Sequence, residues 1–173
     1  MPVIVADATV LIALTKIARL GILKPLYGQV LIGPAVEQEV VGEGVRASAP
    51  EVRQVEAALR DGWIKRARLA AGERKAADRL SAESRLHRGE AESLAIGSAR
   101  SLMVVIDDKE ARSMAAGLGL RYIGTAAVLL QAFAKGLLTR QELEEAVRDL
   151  GRVMWLSPDV ITEVLRRARE VRK

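Results

Sequence analysis

The sequence predicts an α/β fold, a central parallel sheet flanked by helices in a three-layer sandwich. Three observations carry that reading. The runs Val3-Ile4-Val5-Ala6, Gln29–Ile32 and Leu102–Ile106 are short and apolar, and they lack the alternation of a half-solvated strand. Such runs are expected to be buried on both faces. Helical patterns separate them, the arrangement that yields parallel strands joined by right-handed crossovers. The first and last of these runs also end in aspartate, Asp7 and Asp107-Asp108, at the edge where open α/β sheets carry their sites.

Taken in order, the first strand runs from Val3 to Asp7. A helix from Thr9 to about Leu20 follows, with Leu11, Leu14, Ile17 and Ala18 on its buried face and Gly21 as its carboxyl cap. The second strand, Gln29–Ile32, leads through Gly33 into a helix opened by Pro34, which continues to Val41 and stops at Gly42-Glu43-Gly44. Glu51 to Arg60 is a further helix, and Gly62–Lys65 a short edge strand. Ala70 to His87 has few large apolar residues and reads as a solvated helical excursion within residues 43–88. Gly89 to Arg100 is a helix of small residues, in which Gly97 lets the chain approach the sheet. Leu102–Ile106 and Leu120–Gly124 are the remaining strands, followed by helices at Lys109–Leu118 and Thr125–Lys135. Two additional carboxyl-terminal helices, Arg140–Leu150 and Pro158–Arg169, occupy residues 139–173, the second capped by Ser157. Residues 1–173 are expected to form one domain.

Composition narrows the chemistry. The chain has no cysteine and a single histidine, His87, which excludes disulfides, thiolate metal sites and cysteine nucleophiles and leaves little for histidine-ligated zinc. Aromatic residues make up 3% of the chain, so the core must be aliphatic. Of the five, Tyr27, Trp63, Tyr122, Phe133 and Trp155, most are expected to be core. No signal peptide or membrane span is expected, which together with the missing cysteines favours the cytoplasm. The net charge of +5 tilts weakly toward a polyanionic partner.

Acids are therefore the groups that can carry chemistry. Asp7 stands where the first strand gives way to a helix, with Thr9 beside it; the bland alternative is a helix cap. Asp107 and Glu110 have the spacing of a capping box. One aspartate suffices for that, and two in succession repel each other unless a cation is near. Glu90 opens the small-residue helix beside the Leu94–Gly97 face, whereas Glu92 points about 200° away and is expected to be solvated. Glu39 borders the stripe defined by Val36 and Val40, with Glu37 on its opposite flank. Three to five carboxylates at one sheet edge are what one or two hard cations, Mg²⁺ or Mn²⁺, require. Arg46, Arg53, Arg66, Arg68, Arg74, Lys75 and Arg85 are the candidate phosphate contacts for a nucleic acid.

Five stretches in this order resemble the PIN-domain ribonuclease family, in its VapC-like branch. They are Val5–Leu14, Ile32–Val40, Gly89–Ala95, Val105–Arg112 and Gly124-Thr125 before an apolar helix. The resemblance implies a metal-dependent endoribonuclease with a central parallel sheet. Asp7, Glu39, Glu90 and one of Asp107 or Asp108 fall on the family's acidic positions, and Thr9 on its small hydroxyl position. It further implies a toxin role with a cognate antitoxin, and a homodimer. The glutamate within Gly-Glu-Ala-Glu departs from the usual aspartate, and the 43–88 excursion and carboxyl-terminal helices exceed the compact toxin pattern. The competing reading is a non-catalytic RNA- or protein-binding module that keeps the fold. An aspartyl-phosphate enzyme fits poorly, because the second acid expected two residues after Asp7 is Thr9. A receiver domain would carry its phosphoacceptor on a later strand.

Overall fold

A computed structural model describes residues 1–42 and 49–171. Five parallel strands form one sheet in the order β3-β2-β1-β4-β5. They are β1 (Val3–Ala6), β2 (Gln29–Ile32), β3 (Ile64–Arg66), β4 (Met103–Val105) and β5 (Tyr122–Ile123). The chain builds outward from β1 to β3, then returns to the other side of β1 for β4, which pairs with it from Ile4↔Met103 to Ala6↔Val105. The reversal between β1 and β4 opens a crevice at their carboxyl ends, the place where such sheets bind ligands.

The strands face apolar layers on both sides, which explains their lack of alternation. On one face Ile4, Ala6, Ile32 and Val105 pack with α1 (Ala8–Lys16), α4 (Pro50–Arg60), α8 (Thr125–Ala134), α9 (Arg140–Val153) and α10 (Pro158–Glu170). On the other, Val5, Leu31, Val104 and Ile106 pack with α5 (Ala71–Glu83), α6 (Arg88–Arg100) and α7 (Lys109–Gly117). The three-layer α/β sandwich predicted from the sequence is the one observed. Gly97 of α6 rests directly on β4, where an added Cβ would overlap Val104 Cγ2, so only glycine allows this spacing. Among the described residues, no helix is long and apolar enough to cross a membrane.

Several elements depart from expectation. Helix α1 stops at Lys16 rather than Leu20, because Ala18 turns to a left-handed φ of 55°. A 3₁₀ turn (Leu20–Ile22) and the short α2 (Leu23–Tyr27) then carry the chain to β2, so Gly21 is not a cap. After α3 (Pro34–Glu37) the backbone widens into a π-helical segment, Gln38–Gly42. Helix α5 is not a solvated excursion: its Ala77 is fully buried against α6, and Glu73 is 5% exposed, held by Arg100 Nε at 2.7 Å. The carboxyl-terminal helices form as expected. Thr139 and Glu142 satisfy each other's backbone N–H groups at the start of α9, and Ser157 Oγ accepts from Val160 N–H at 3.3 Å to cap α10.

Candidate active site

Asp7 is the amino-cap of α1 and the residue that follows β1. Its Oδ1 accepts from Val10 N–H at 3.0 Å, so the capping role foreseen for it is real. It is also 2% exposed, far more buried than a cap requires. Burial pushes its carboxyl up to about 8 from an ordinary 3.8. The Val10 hydrogen bond opposes that rise, and the negative charges of Asp107, Glu90 and Glu39 add to it. Three acids from other parts of the chain are therefore near enough to act on its charge.

Asp107 lies two residues beyond β4, across the crevice from Asp7. Its Oδ1 accepts from Thr125 N–H at 2.9 Å and its Oδ2 from Thr125 Oγ1–H at 2.5 Å. Burial raises its carboxyl; the Thr125 bonds and the nearby Arg112 guanidinium pull it back. Gly124 makes the contact with α8 possible, since a Cβ there would stand 2.8 Å from Asp107 Oδ1. Asp108 does something else. It is exposed, and its Oδ1 accepts from Ala111 N–H at 2.8 Å as the cap of α7. The Asp107–Glu110 capping box expected from spacing does not form, because Asp108 takes the cap and Glu110 Oε1 accepts from Arg85 N–H at 2.8 Å. We expect Thr125→Val to raise the Asp107 titration midpoint further, since a bond to the charged form is lost. A ¹³C carboxyl titration by NMR measures this.

Glu90 is half-buried at the first turn of α6, where its Oε2 accepts from His87 N–H at 2.8 Å. Burial raises its carboxyl, the His87 bond lowers it, and the charges of Asp108 and Glu39 raise it. Glu39, on the π-helical segment, is exposed but leans toward α6: its Oε2 lies 3.5 Å from where a Cβ on Gly89 would be. Thr9 is exposed on α1.

Glu92 overturns the expectation of a solvated side chain. It is 4% exposed; its Oε2 accepts from Ala35 N–H at 2.8 Å, and its Oε1 from Arg88 Nε at 2.9 Å. It thus caps α3 across helices and fixes the segment that carries Glu39. The basic residues are more scattered than a single binding face would be. Arg53 is on α4 and Lys75 on α5, helices that pack on opposite faces of the sheet. Arg66 pairs with Glu37, Arg74 Nη1 donates to Leu69 C=O at 2.8 Å, and Arg68 and Arg85 are exposed. Arg46 lies outside the described residues.

The donor set is all carboxylate, which suits Mg²⁺ or Mn²⁺ and no softer ion. As the side chains stand, among the described residues no three acids, cysteines or histidines converge tightly enough to hold an ion. Asp7 and Asp107 are pinned by their hydrogen bonds. Glu39 and Glu90 have the longer side chains and the greater exposure, although Glu90 is also held by His87 N–H. The residues missed in the sequence are Thr125, Gly124, Arg112 and Glu92. Gly124-Thr125 at a strand-to-helix junction was the visible signal; the partners of Glu92 and Arg112 exist only in three dimensions.

The comparison with curated proteins finds no match. A family model described as a PIN domain matches residues 3–170, from the first strand to the last helix, and spans all four acids. With a five-stranded parallel sheet and acids gathered at its carboxyl edge, the chain belongs to the PIN-domain family.

Proposed function

We propose that this chain is a metal-dependent endoribonuclease, with Asp7, Glu39, Glu90 and Asp107 as its acidic set. PIN domains are generally nucleases and typically use divalent metals. The observation that carries the proposal is Asp7: a carboxylate 2% exposed, repelled by three further acids at the sheet's switch point. Burying one charged carboxylate among others costs several kcal/mol, which a proton relieves in the metal-free protein and a cation would relieve when bound. The four acids would hold one or two Mg²⁺ or Mn²⁺ ions. When bound, such ions stabilise charge on phosphoryl oxygens and lower the pKa of an attacking water. The protein's own share is positional. Val10 and Thr125 fix Asp7 and Asp107, and Glu92 anchors the segment carrying Glu39. Asp108 is assigned to capping α7 and to the charge around Glu90. In the same proposal the substrate is RNA, and a toxin role with an antitoxin partner and a homodimer follows the VapC-like resemblance.

The open arrangement of the acids favours one alternative, a non-catalytic RNA- or protein-binding module. Calorimetric titration with Mn²⁺ and a single-stranded RNA cleavage assay with and without chelator separate the two. Saturable Mn²⁺ binding with chelator-sensitive cleavage is the expected result. RNA binding with no Mn²⁺ affinity and no turnover would replace the nuclease by the module.

A further inference from the structure

We propose that the groove running from Asp107 to Trp155 receives the nucleotide next to the scissile phosphate, with its base stacked on Trp155; this rests on the nuclease reading above. The groove encloses about 720 Å³ between α7, β5, α8, α10 and the loop into α10. That lies within the range of small-molecule sites. One end is the active-site edge itself, Asp107 and Gly124. The other is Trp155, which is 83% exposed in a chain whose Tyr27 and Phe133 are buried. An aromatic ring left in solvent, on a wall that also carries Asp107, is out of place as core and suited to stacking.

The groove offers both the cations and the apolar surface that a nucleotide needs. At the Asp107 end it carries Lys109 and Arg112. Lys109 is exposed and has no ion pair among the described residues, and Arg112 lies over the Tyr122 ring at 5.5 Å. These cations suit a phosphate. Beside Trp155 the lining includes the apolar Met154 and Leu156, and α10 adds Asp159, Glu163 and Arg167. Glu163 at that end is neutralised by Arg166 and Arg167, and Asp159 remains to accept from an exocyclic amino group.

The test compares wild type, Trp155→Ala and Trp155→Phe on a short single-stranded RNA with Mn²⁺. It repeats the comparison on the same RNA with an abasic nucleotide beside the cleaved bond. Trp155→Ala should raise KM about 5- to 150-fold, the range of one lost base stack, with kcat nearly unchanged. Trp155→Phe should restore most of the loss. The abasic RNA should cost wild type the same factor and Trp155→Ala almost nothing. Unchanged KM in Trp155→Ala, or an equal further loss on the abasic RNA, overturns the assignment. So does a Trp155→Ala chain that dissociates from dimer to monomer on sedimentation while KM holds. If wild type cleaves no RNA, the nuclease reading fails by itself. The groove is then judged by fluorescence: in a Trp63→Phe, Asp7→Asn chain, Trp155 should be quenched by the intact RNA, and no quenching overturns it.

Discussion

Asp7→Asn should abolish cleavage and, in the absence of metal, make the protein more stable. The two effects have one cause. Asn keeps the side-chain oxygen that accepts from Val10 N–H, so α1 retains its cap. What disappears is a carboxyl that burial and three neighbouring acids hold at about 8. The folded protein keeps a proton there that the unfolded chain, with an ordinary aspartate at 3.8, gives up. Stability contributed by Asp7 is therefore complete below about pH 4 and is lost as pH rises toward 8. A displacement of that size corresponds to at most about 5–6 kcal/mol, and relaxation of the site around the charged carboxylate reduces the effect to about 2–3 kcal/mol. At pH 8 to 8.5 the variant should melt about 5–10 °C above wild type, and the two should coincide at pH 4. Saturating Mn²⁺ should raise the melting point of wild type and leave the variant almost unmoved, because only an ion bound to the folded state stabilises it. Cleavage by the variant should fall by about three orders of magnitude or more, the scale of losing a principal ligand from a metal site that activates water. An Asp7→Asn chain with wild-type activity, or one that melts lower at pH 8 without metal, would show that Asp7 is a helix cap and nothing more.

That pairing of effects also marks how far sequence could lead. Val3–Ala6, Gln29–Ile32 and Met103–Val105 were legible as strands because burial on both faces strips a strand of its alternation. Once three strands are placed, the topology puts Asp7 and Asp107 at one edge without any coordinates. The choice between Asp107 and Asp108 was not legible. Both follow the strand, and only the position of α8 decides that Thr125 reaches Asp107 while Asp108 turns back to cap α7. The end of α1 was missed because Ala18 takes a left-handed turn that usually falls to glycine, at a cost of about 1–2 kcal/mol that the surrounding packing must offset. Most of the five aromatics are expected to be core because large aromatics generally bury; which one stays out is not legible, and the 83% exposure of Trp155 is a property of the loop that presents it. Helix α5 looked solvated because alanine, when it packs against a small-residue helix, leaves no strong apolar stripe.

The burial of Glu92 leads to the other large effect. Wheel geometry assumes one buried stripe, but α6 is covered by the sheet on one side, by α5 on another and by α3 on a third. Gly89, Ala91, Glu92, Ser93, Leu94, Ala95, Ile96 and Gly97 are all buried as a result. A glutamate in such a helix must find partners, and Glu92 has two: the Ala35 N–H at the start of α3 and the Arg88 guanidinium. Glu92→Ala leaves a buried backbone donor without an acceptor, which costs about 1–3 kcal/mol. The loss of Arg88 adds little, because that side chain is 42% exposed, also holds Asp78, and can be rehydrated. We expect Glu92→Ala to lower the melting point by about 4–10 °C. Glu92→Gln, which keeps an acceptor for Ala35, should cost less than half as much. A solvated Glu92 would make both substitutions silent. The functional consequence separates anchoring from ligation. Glu92 touches none of the four acids, yet α3 sets where Glu39 stands, so Glu92→Ala should weaken Mn²⁺ binding about tenfold, while Glu92→Gln holds near wild type. If calorimetry finds Mn²⁺ affinity unchanged in a folded Glu92→Ala chain, Glu39 is not placed through α3 and does not belong to the metal-binding set.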